Sequence, residues 1–347
     1  MNKDLLSLLN DVKENEDNLP QNHYDRVLLI DGLNLFFRNF AMLNMVNPAG
    51  VHVGGLGGFL RSLGALIRQI QPTSVYVVFD GAGSSTNRKN LLPEYKSGRN
   101  LSRITNWEVF ENLDEEHEAK IDQIVRLIQY LKQLPVNVLT MDKVEADDII
   151  SYVAQTIDKK YNGKSFIVSS DKDFLQIIND NIMVYRPIEK KIYTKETVMD
   201  KFKVLSENFI LYKTLMGDSS DKVPGVKGLG PKKFEKLFPE LREERLSLDD
   251  IFDIAARKHK DNVIYSRIVF GESDLRKNYK IMDLENPLLS ENDEEVLQEV
   301  IEAEVPDLNS KVFMTLYNED QLGGMIRNVD FWLNDNFAQL KKVTNDA

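Results

Sequence analysis

The 347-residue chain contains no cysteine, which excludes disulfides and thiolate metal sites and suits a reducing, cytoplasmic setting. Only four histidines occur, too scattered to suggest a His-based zinc site. No run of about 18 apolar residues is present, so no membrane span is expected. The opening stretch MNKDLLSLLNDVKENEDNLPQNHYD lacks the basic start and continuous apolar core of a secretion signal and reads as an acidic tail. Internal repeats and low-complexity linkers are missing as well. There is no positive excess either: 44 Lys and Arg stand against 55 Asp and Glu, a net charge of −11. That total does not exclude a polyanionic partner, because binding depends on the local field at the contact face.

What is present is ordinary for a globular protein, with 42% apolar and 29% charged residues. The length suits one large domain or two smaller ones. Three segments read alike: RVLLIDG (26–32), SVYVVFDG (74–81) and SFIVSSDKD (165–173) are short apolar runs that end in Asp. Such runs predict strands buried on both faces of a parallel sheet. Helix-period segments lie between them, at 57–70 and 119–134, and the alternation predicts an α/β sheet with right-handed crossovers. Ligands of such sheets bind beyond the carboxyl ends of the strands. Asp31, Asp80, Asp171 and Asp173 would sit at that edge. A further strand is expected around 136–140, then a helix from near Val144 in which Glu145 and Asp148 share a face and Asp147 lies to one side. From about 205 the pattern is helical, a smaller region expected to pack on the sheet. The acidic stretch 291–307 reads as a solvated helix face.

The candidate acids are Asp31, Asp80, Glu145, Asp147, Asp148, Asp171, Asp173, Asp218 and Asp221. Each alone could be a cap, a turn residue or surface charge. Gathered, they would repel one another unless protonation or a cation compensates. Hard oxygen donors without His or Cys select Mg²⁺ or Mn²⁺. A pair of such ions about 3.5–4 Å apart is the usual device for phosphodiester hydrolysis, one activating water and the other steadying the leaving oxygen.

Two basic stretches accompany the acids. In STNRKNLLPEYKSGRNLSR (85–103), Arg88, Lys89, Lys96, Arg99 and Arg103 face Glu94 alone. Lys96 and Arg99 would share a helical face beside Tyr95, overhanging the acidic edge where a scissile phosphate could be held. In GDSSDKVPGVKGLGPKK (217–233), Gly225, Gly228 and Gly230 would let backbone amides approach an anion, Pro231 would start a helix, and Lys232, Lys233 and Lys236 would back it. Such a grip holds backbone rather than bases. No strand precedes this loop, so it is not a dinucleotide fingerprint.

Asp-Gly after the first strand, VVFDG, LPEYKSGR, VEADD, SSDKDF and GDSSDKVPGVKGLGPKK occur in the order of the flap endonuclease/5′→3′ exonuclease family, which the chain resembles over roughly residues 25–285. It looks most like the free-standing bacteriophage members and the 5′-nuclease domain of bacterial DNA polymerase I, without a polymerase segment after it. The resemblance implies a PIN-like core at 23–204 with a helical arch at 84–118, a helix–three-turn–helix DNA-binding region at 205–290, and, outside the match, a tail at 1–22 and a helical extension at 291–347. It implies a first metal group of Asp31, Asp80, Glu145 and Asp147 and a second of Asp171, Asp173 and Asp218, with Asp148 and Asp221 as additional ligands or as groups that act on the ions through water. Lys96, Arg99 and Tyr95 match catalytic arch positions. Arg88, Lys89, Arg103, Lys222, Gly225, Lys227, Gly228, Gly230, Lys232, Lys233 and Lys236 are the implied DNA contacts, with a potassium ion at the Gly225–Gly230 carbonyls.

The implied activity is two-metal hydrolysis near the 5′ end of duplex, flap or RNA-primed DNA, in primer removal and repair, by a monomer in a bacterial or phage-infected cytoplasm. A sliding clamp or single-strand-binding protein is a further implied partner. QLGGMIRNVDFWL, near the C-terminus, could make that contact, although a core helix is the simpler reading. Two rivals stand beside this function: a PIN-type ribonuclease, which the lysine-backed loop disfavours, and a non-catalytic DNA-binding scaffold, for which so many like charges would be a liability.

Overall fold

A computed structural model of the chain describes residues 22–97, 104–337 and 340. β1 (Arg26–Asp31) runs into α1 (Gly32–Met42), and α2 (Gly54–Ile70) leads to β2 (Ser74–Val78). The short α3 (Thr86–Leu91) and long α4 (Leu113–Leu131) precede β3 (Asn137–Leu139) and α5 (Ala146–Tyr161). Then follow β4 (Lys164–Val168), β5 (Ile182–Arg186) and β6 (Lys191–Tyr193). Beyond α6 (Lys195–Phe202) the described chain is helical: α7 (Phe209–Met216), α8 (Pro231–Leu237), α9 (Leu248–Lys258), α10 (Val263–Phe270), α11 (Glu272–Met282), α12 (Glu291–Glu302), α13 (Ser310–Glu319) and α14 (Val329–Phe337).

The strands form one sheet in the order β3-β2-β1-β4-β5-β6. All neighbours are parallel except β5 and β6. The expected strands are therefore present, and the order reverses between β1 and β4. An open parallel sheet leaves its ligand crevice at such a switch point. Side chains alternate across the sheet: Val27 and Leu29 enter one core, Leu28 and Ile30 the other.

On the first face, α5 and the helices from α7 to α12 complete a single continuous core. The helical region is thus packed on the sheet, as expected for 205 onward. On the second face α1, α2 and α4 pack, and α13 and α14 close over them through Phe313, Trp332 and Phe337. QLGGMIRNVDFWL sits here: Leu322, Ile326, Val329, Trp332 and Leu333 are buried. In α12 only Leu297 and Ile301 are buried, which leaves its acidic face in solvent. Among the described residues no helix is long and apolar enough to cross a membrane.

Candidate active site

The strand ends bring the acids to one edge. Asp31 closes β1 and caps α1, its Oδ1 accepting the Asn34 N–H at 3.0 Å. Ser169, just past β4, donates Oγ–H to Asp31 Oδ2 at 2.9 Å and accepts the Asp171 N–H at 3.1 Å. Asn34 Oδ1 accepts the Ser170 N–H at 3.0 Å, a second tie across the switch point. Asp80, beyond β2, accepts the Ala146 N–H at 2.8 Å. Glu145 is the N-cap of α5, which begins at Ala146 rather than near Val144.

These groups feel one another. Burial, opposed by the bonds from Asn34 and Ser169 and reinforced by the charges of Asp80 and Asp171, pushes the Asp31 carboxyl up to about 7. Burial and the neighbouring Asp147 raise Glu145 to about 7. Burial and Asp171 do the same to Asp173, also to about 7. Asp171 itself is raised, chiefly by burial, with Asp147 and Asp221 adding repulsion.

Three cationic groups stand among them. Arg88 is only 2% exposed; it forks onto Asp148 with two bonds, the longer 3.0 Å, reaches Glu145 at 2.9 Å and Asp147 at 3.5 Å, and donates Nε–H to the Ile281 carbonyl at 2.8 Å. Lys96 Nζ lies 2.9 Å from Glu145 Oε1, and the buried Tyr95 hydroxyl donates to Glu145 Oε2 at 3.1 Å. Lys213 Nζ bridges Asp173, at 2.5 Å, and Asp218. Burial pulls the Lys213 ammonium down, but the two carboxylates outweigh it and raise it. Asp218 goes the other way: burial is overcome by Lys213 and Ser220, and its carboxyl falls to about 2.

Several expectations are corrected here. Arg88 does not present itself to a DNA surface; it is buried, because three acids neutralise it. Lys96 is not on a helix but in a turn with φ +53°, and it points inward to Glu145. Both oxygens of Asp148 are taken by Arg88, and Oδ1 also accepts the Leu288 N–H at 3.0 Å. Gly225 serves close backbone packing, since a Cβ there would lie 2.1 Å from the Met216 carbonyl oxygen. As the side chains stand, no group of three His, Cys, Asp or Glu among the described residues is arranged to hold a metal ion. Arg88, Lys96 and Lys213 take up carboxylate oxygens instead.

Gly230 caps α8 with Pro231 in its first turn, and Lys222, Lys227, Lys232, Lys233 and Lys236 are exposed around this loop. Lys233 Nζ donates to the Gly228 carbonyl at 3.0 Å. Lys89 is exposed on α3. Arg99 and Arg103, with the segment 98–103, lie outside the described residues, as does the tail at 1–21. Asn34, Ser169 and Lys213 were missed by sequence reasoning. A serine two residues before DKD and a lysine four residues ahead of GDSSD were the signals for the last two.

A parallel sheet with a carboxylate-lined edge, a basic turn over it and a helical region beside it is the α/β fold of the PIN-like flap endonucleases. Solved structures agree on that fold: the T5 D15 protein co-crystallised with metal ions aligns with a TM-score of 0.64 at 21% identity, over 79% of this chain and 97% of that one. The bacteriophage T5 D15 flap endonuclease in a pseudo-enzyme–product complex with DNA and metal ions aligns at 0.63, 20% identity, 79% and 97%. The family model for the "5′-3′ exonuclease, N-terminal resolvase-like domain" matches residues 26–203. A 5′-3′ exonuclease of Aquifex aeolicus is 31% identical over 63% of this chain and 78% of its own length. A DNA polymerase I of Lactococcus lactis is 32% identical over 69% of this chain but only 27% of its own length, so the chain spans about a quarter of that relative. The chain belongs to the 5′-3′ exonuclease family.

Proposed function

We propose that the chain is a structure-specific 5′ nuclease that hydrolyses phosphodiester bonds near the 5′ end of duplex, flap or RNA-primed DNA, leaving a 5′-phosphate and a 3′-hydroxyl. The observation that carries the reading is a series of nine carboxylates beyond the strand ends, each repelled by at least one other, among which Arg88, Lys96 and Lys213 are the paired cations of the described residues. That surplus of negative charge favours bound cations, and an all-oxygen donor set fits Mg²⁺, with Mn²⁺ as substitute. Asp31, Asp80, Glu145 and Asp147 would hold one ion and Asp171, Asp173 and Asp218 another, with Asp221, and less directly Asp148, outside them. When bound, such ions supply an acidified water and charge withdrawal from the leaving oxygen.

The chain's own groups do the rest. Lys96, placed against Glu145, meets the scissile phosphate and offsets its developing charge. Tyr95 holds Glu145, and Ser169 and Asn34 keep Asp31 and Asp171 in register. Lys222, Lys227, Lys232, Lys233 and Lys236, with the glycine loop and its potassium site, grip duplex backbone in the helical region, and Lys89, Arg99 and Arg103 guide the 5′ strand. The enzyme works as a monomer in primer removal, alongside a sliding clamp or single-strand-binding protein.

Product mapping on 5′-labelled flap and RNA-primed duplexes, with Mg²⁺ or with EDTA, tests the reading. Cleavage near the 5′ end in Mg²⁺ and none in EDTA is expected. Binding without cleavage in either Mg²⁺ or Mn²⁺ would favour the scaffold rival.

A further inference from the structure

Docking of the C-terminal segment on α2 creates a second concavity, none of whose lining residues belongs to the acidic cluster. A cleft of about 580 Å³ opens between α1, α2 and the residues that lead into α14. Arg61, Arg68 and Arg327 line it and no acidic side chain does, in a chain whose net charge is −11. Leu43 and Met325 and the buried Ile326 and Trp332 supply its apolar lining, and Phe331 stands 61% exposed beside them.

Two of the cleft's neutral polar side chains are engaged with the protein itself. Asn39 Nδ2 donates to the Leu35 carbonyl at 2.9 Å, and Ser62 Oγ donates to Asn39 Oδ1 at 3.3 Å. Arg68 is steadied by a bond from Nη1 to Asn336 Oδ1 at 2.9 Å, which leaves its other donors unspent. The charged groups of the cleft are all cations around an apolar floor.

We propose that this cleft binds an acidic peptide segment of a partner protein that inserts one apolar side chain. Guanidinium groups pair best with carboxylates, in charge-assisted and often bidentate bonds. The floor accepts an aliphatic or aromatic side chain without stranding any polar atom. A nucleobase would bury its hydrogen-bonding edge against a lining whose neutral polar side chains are few and partly engaged. An apolar concavity with a few convergent polar groups is the general form of a specific binding site.

The probe is a fluorescein-labelled Asp-Asp-Phe-Asp-Asp peptide titrated with the full chain and read by anisotropy, alongside labelled oligo(dT). The peptide binds, and added salt weakens it. The double variant R61E/R327E weakens it by about tenfold or more, equal to about 1.4 kcal/mol, and replacing the peptide's Phe with Ser has an effect in the same direction. Cleavage of a protein-free flap substrate by R61E/R327E stays at the wild-type rate. In a Trp107→Phe background the emission of Trp332 shifts as the cleft fills. No peptide binding, equal binding to R61E/R327E, or an unmoved Trp332 emission overturns the proposal. Oligo(dT) held through these same arginines in preference to the peptide overturns it too, and assigns the cleft to nucleic acid.

Discussion

The backbone N–H of Lys96 donates to the carbonyl of Asp221 at 3.0 Å. The bond ties the turn that carries Lys96 to the acidic turn ahead of the glycine loop, so the cation is held from the backbone as well as by Glu145. Held in this way, Lys96 should act on the transition state more than on binding. Lys96→Ala should lower kcat by about 10²–10³-fold, the range for losing one electrostatic stabiliser, with duplex affinity changed far less. Single-turnover cleavage and filter binding separate the two. Equal losses in both would assign Lys96 to ground-state grip.

The acids at the switch point set a second expectation. Asp80→Asn and Asp171→Asn keep the shape of the edge but remove charge, so cleavage should vanish while DNA binding largely persists. Full activity of both variants in Mg²⁺ would count decisively against the metal assignment.

Arg88 lies buried among Glu145, Asp147 and Asp148. Arg88→Ala leaves these carboxylates without their internal cation and should cost about 3–5 kcal/mol, the usual range for breaking a buried pair. Urea unfolding reads the cost directly. A loss under about 1 kcal/mol, the level of an exposed pair, would mean that the acids are compensated from elsewhere.

Gly64 faces Trp332 so closely that an added Cβ would stand 2.2 Å from Nε1. Gly64→Ala should push α14 off α2, costing about 1–3 kcal/mol as overpacking does. The fluorescence of Trp332, read in a Trp107→Phe background, should move to the red. Unchanged emission and stability would show that the contact relaxes at no cost.

Glu189 supplies a pH dependence away from the acidic edge. Burial pushes its carboxyl up, but the bonds from Lys201 and Tyr193 and the charge of Arg186 win and bring it to about 2 from an ordinary 4.5. The contribution is therefore complete above about 4.5 and is lost as pH falls toward about 2. The stability gap between the wild type and Glu189→Gln should be constant from neutral pH to about 5 and close below that, as followed by urea titrations. A gap independent of pH would mean that Glu189 titrates alike in the folded and the unfolded chain.

Much of the fold was legible. The apolar runs that end in Asp are strands, and their termination by a charged residue placed Asp31 and Asp80 at one edge. The basic stretch misled because charge was counted along the chain. Arg88 and Lys89 are adjacent in sequence, yet one is buried against three acids and the other exposed. Which one points inward depends on α3 lying against α11, where the Ile281 carbonyl meets Arg88, and beside Asp148 in the first turn of α5. Lys213 was passed over because a single lysine in an apolar helix has no local sign that two carboxylates await it.

The sequence alone determined the class of sheet, the order of the acidic and basic motifs, and the family, because apolar periodicity and short polar motifs are local properties. The tertiary structure decided which charges face one another. It set Arg88 and Lys213 inside the acidic cluster, fixed Asp31 to Ser169 across the switch point, and formed the arginine-lined cleft from α2 and the C-terminal segment. Coulomb energy and burial depend on distance and exposure in space, and neither can be read from spacing along a chain.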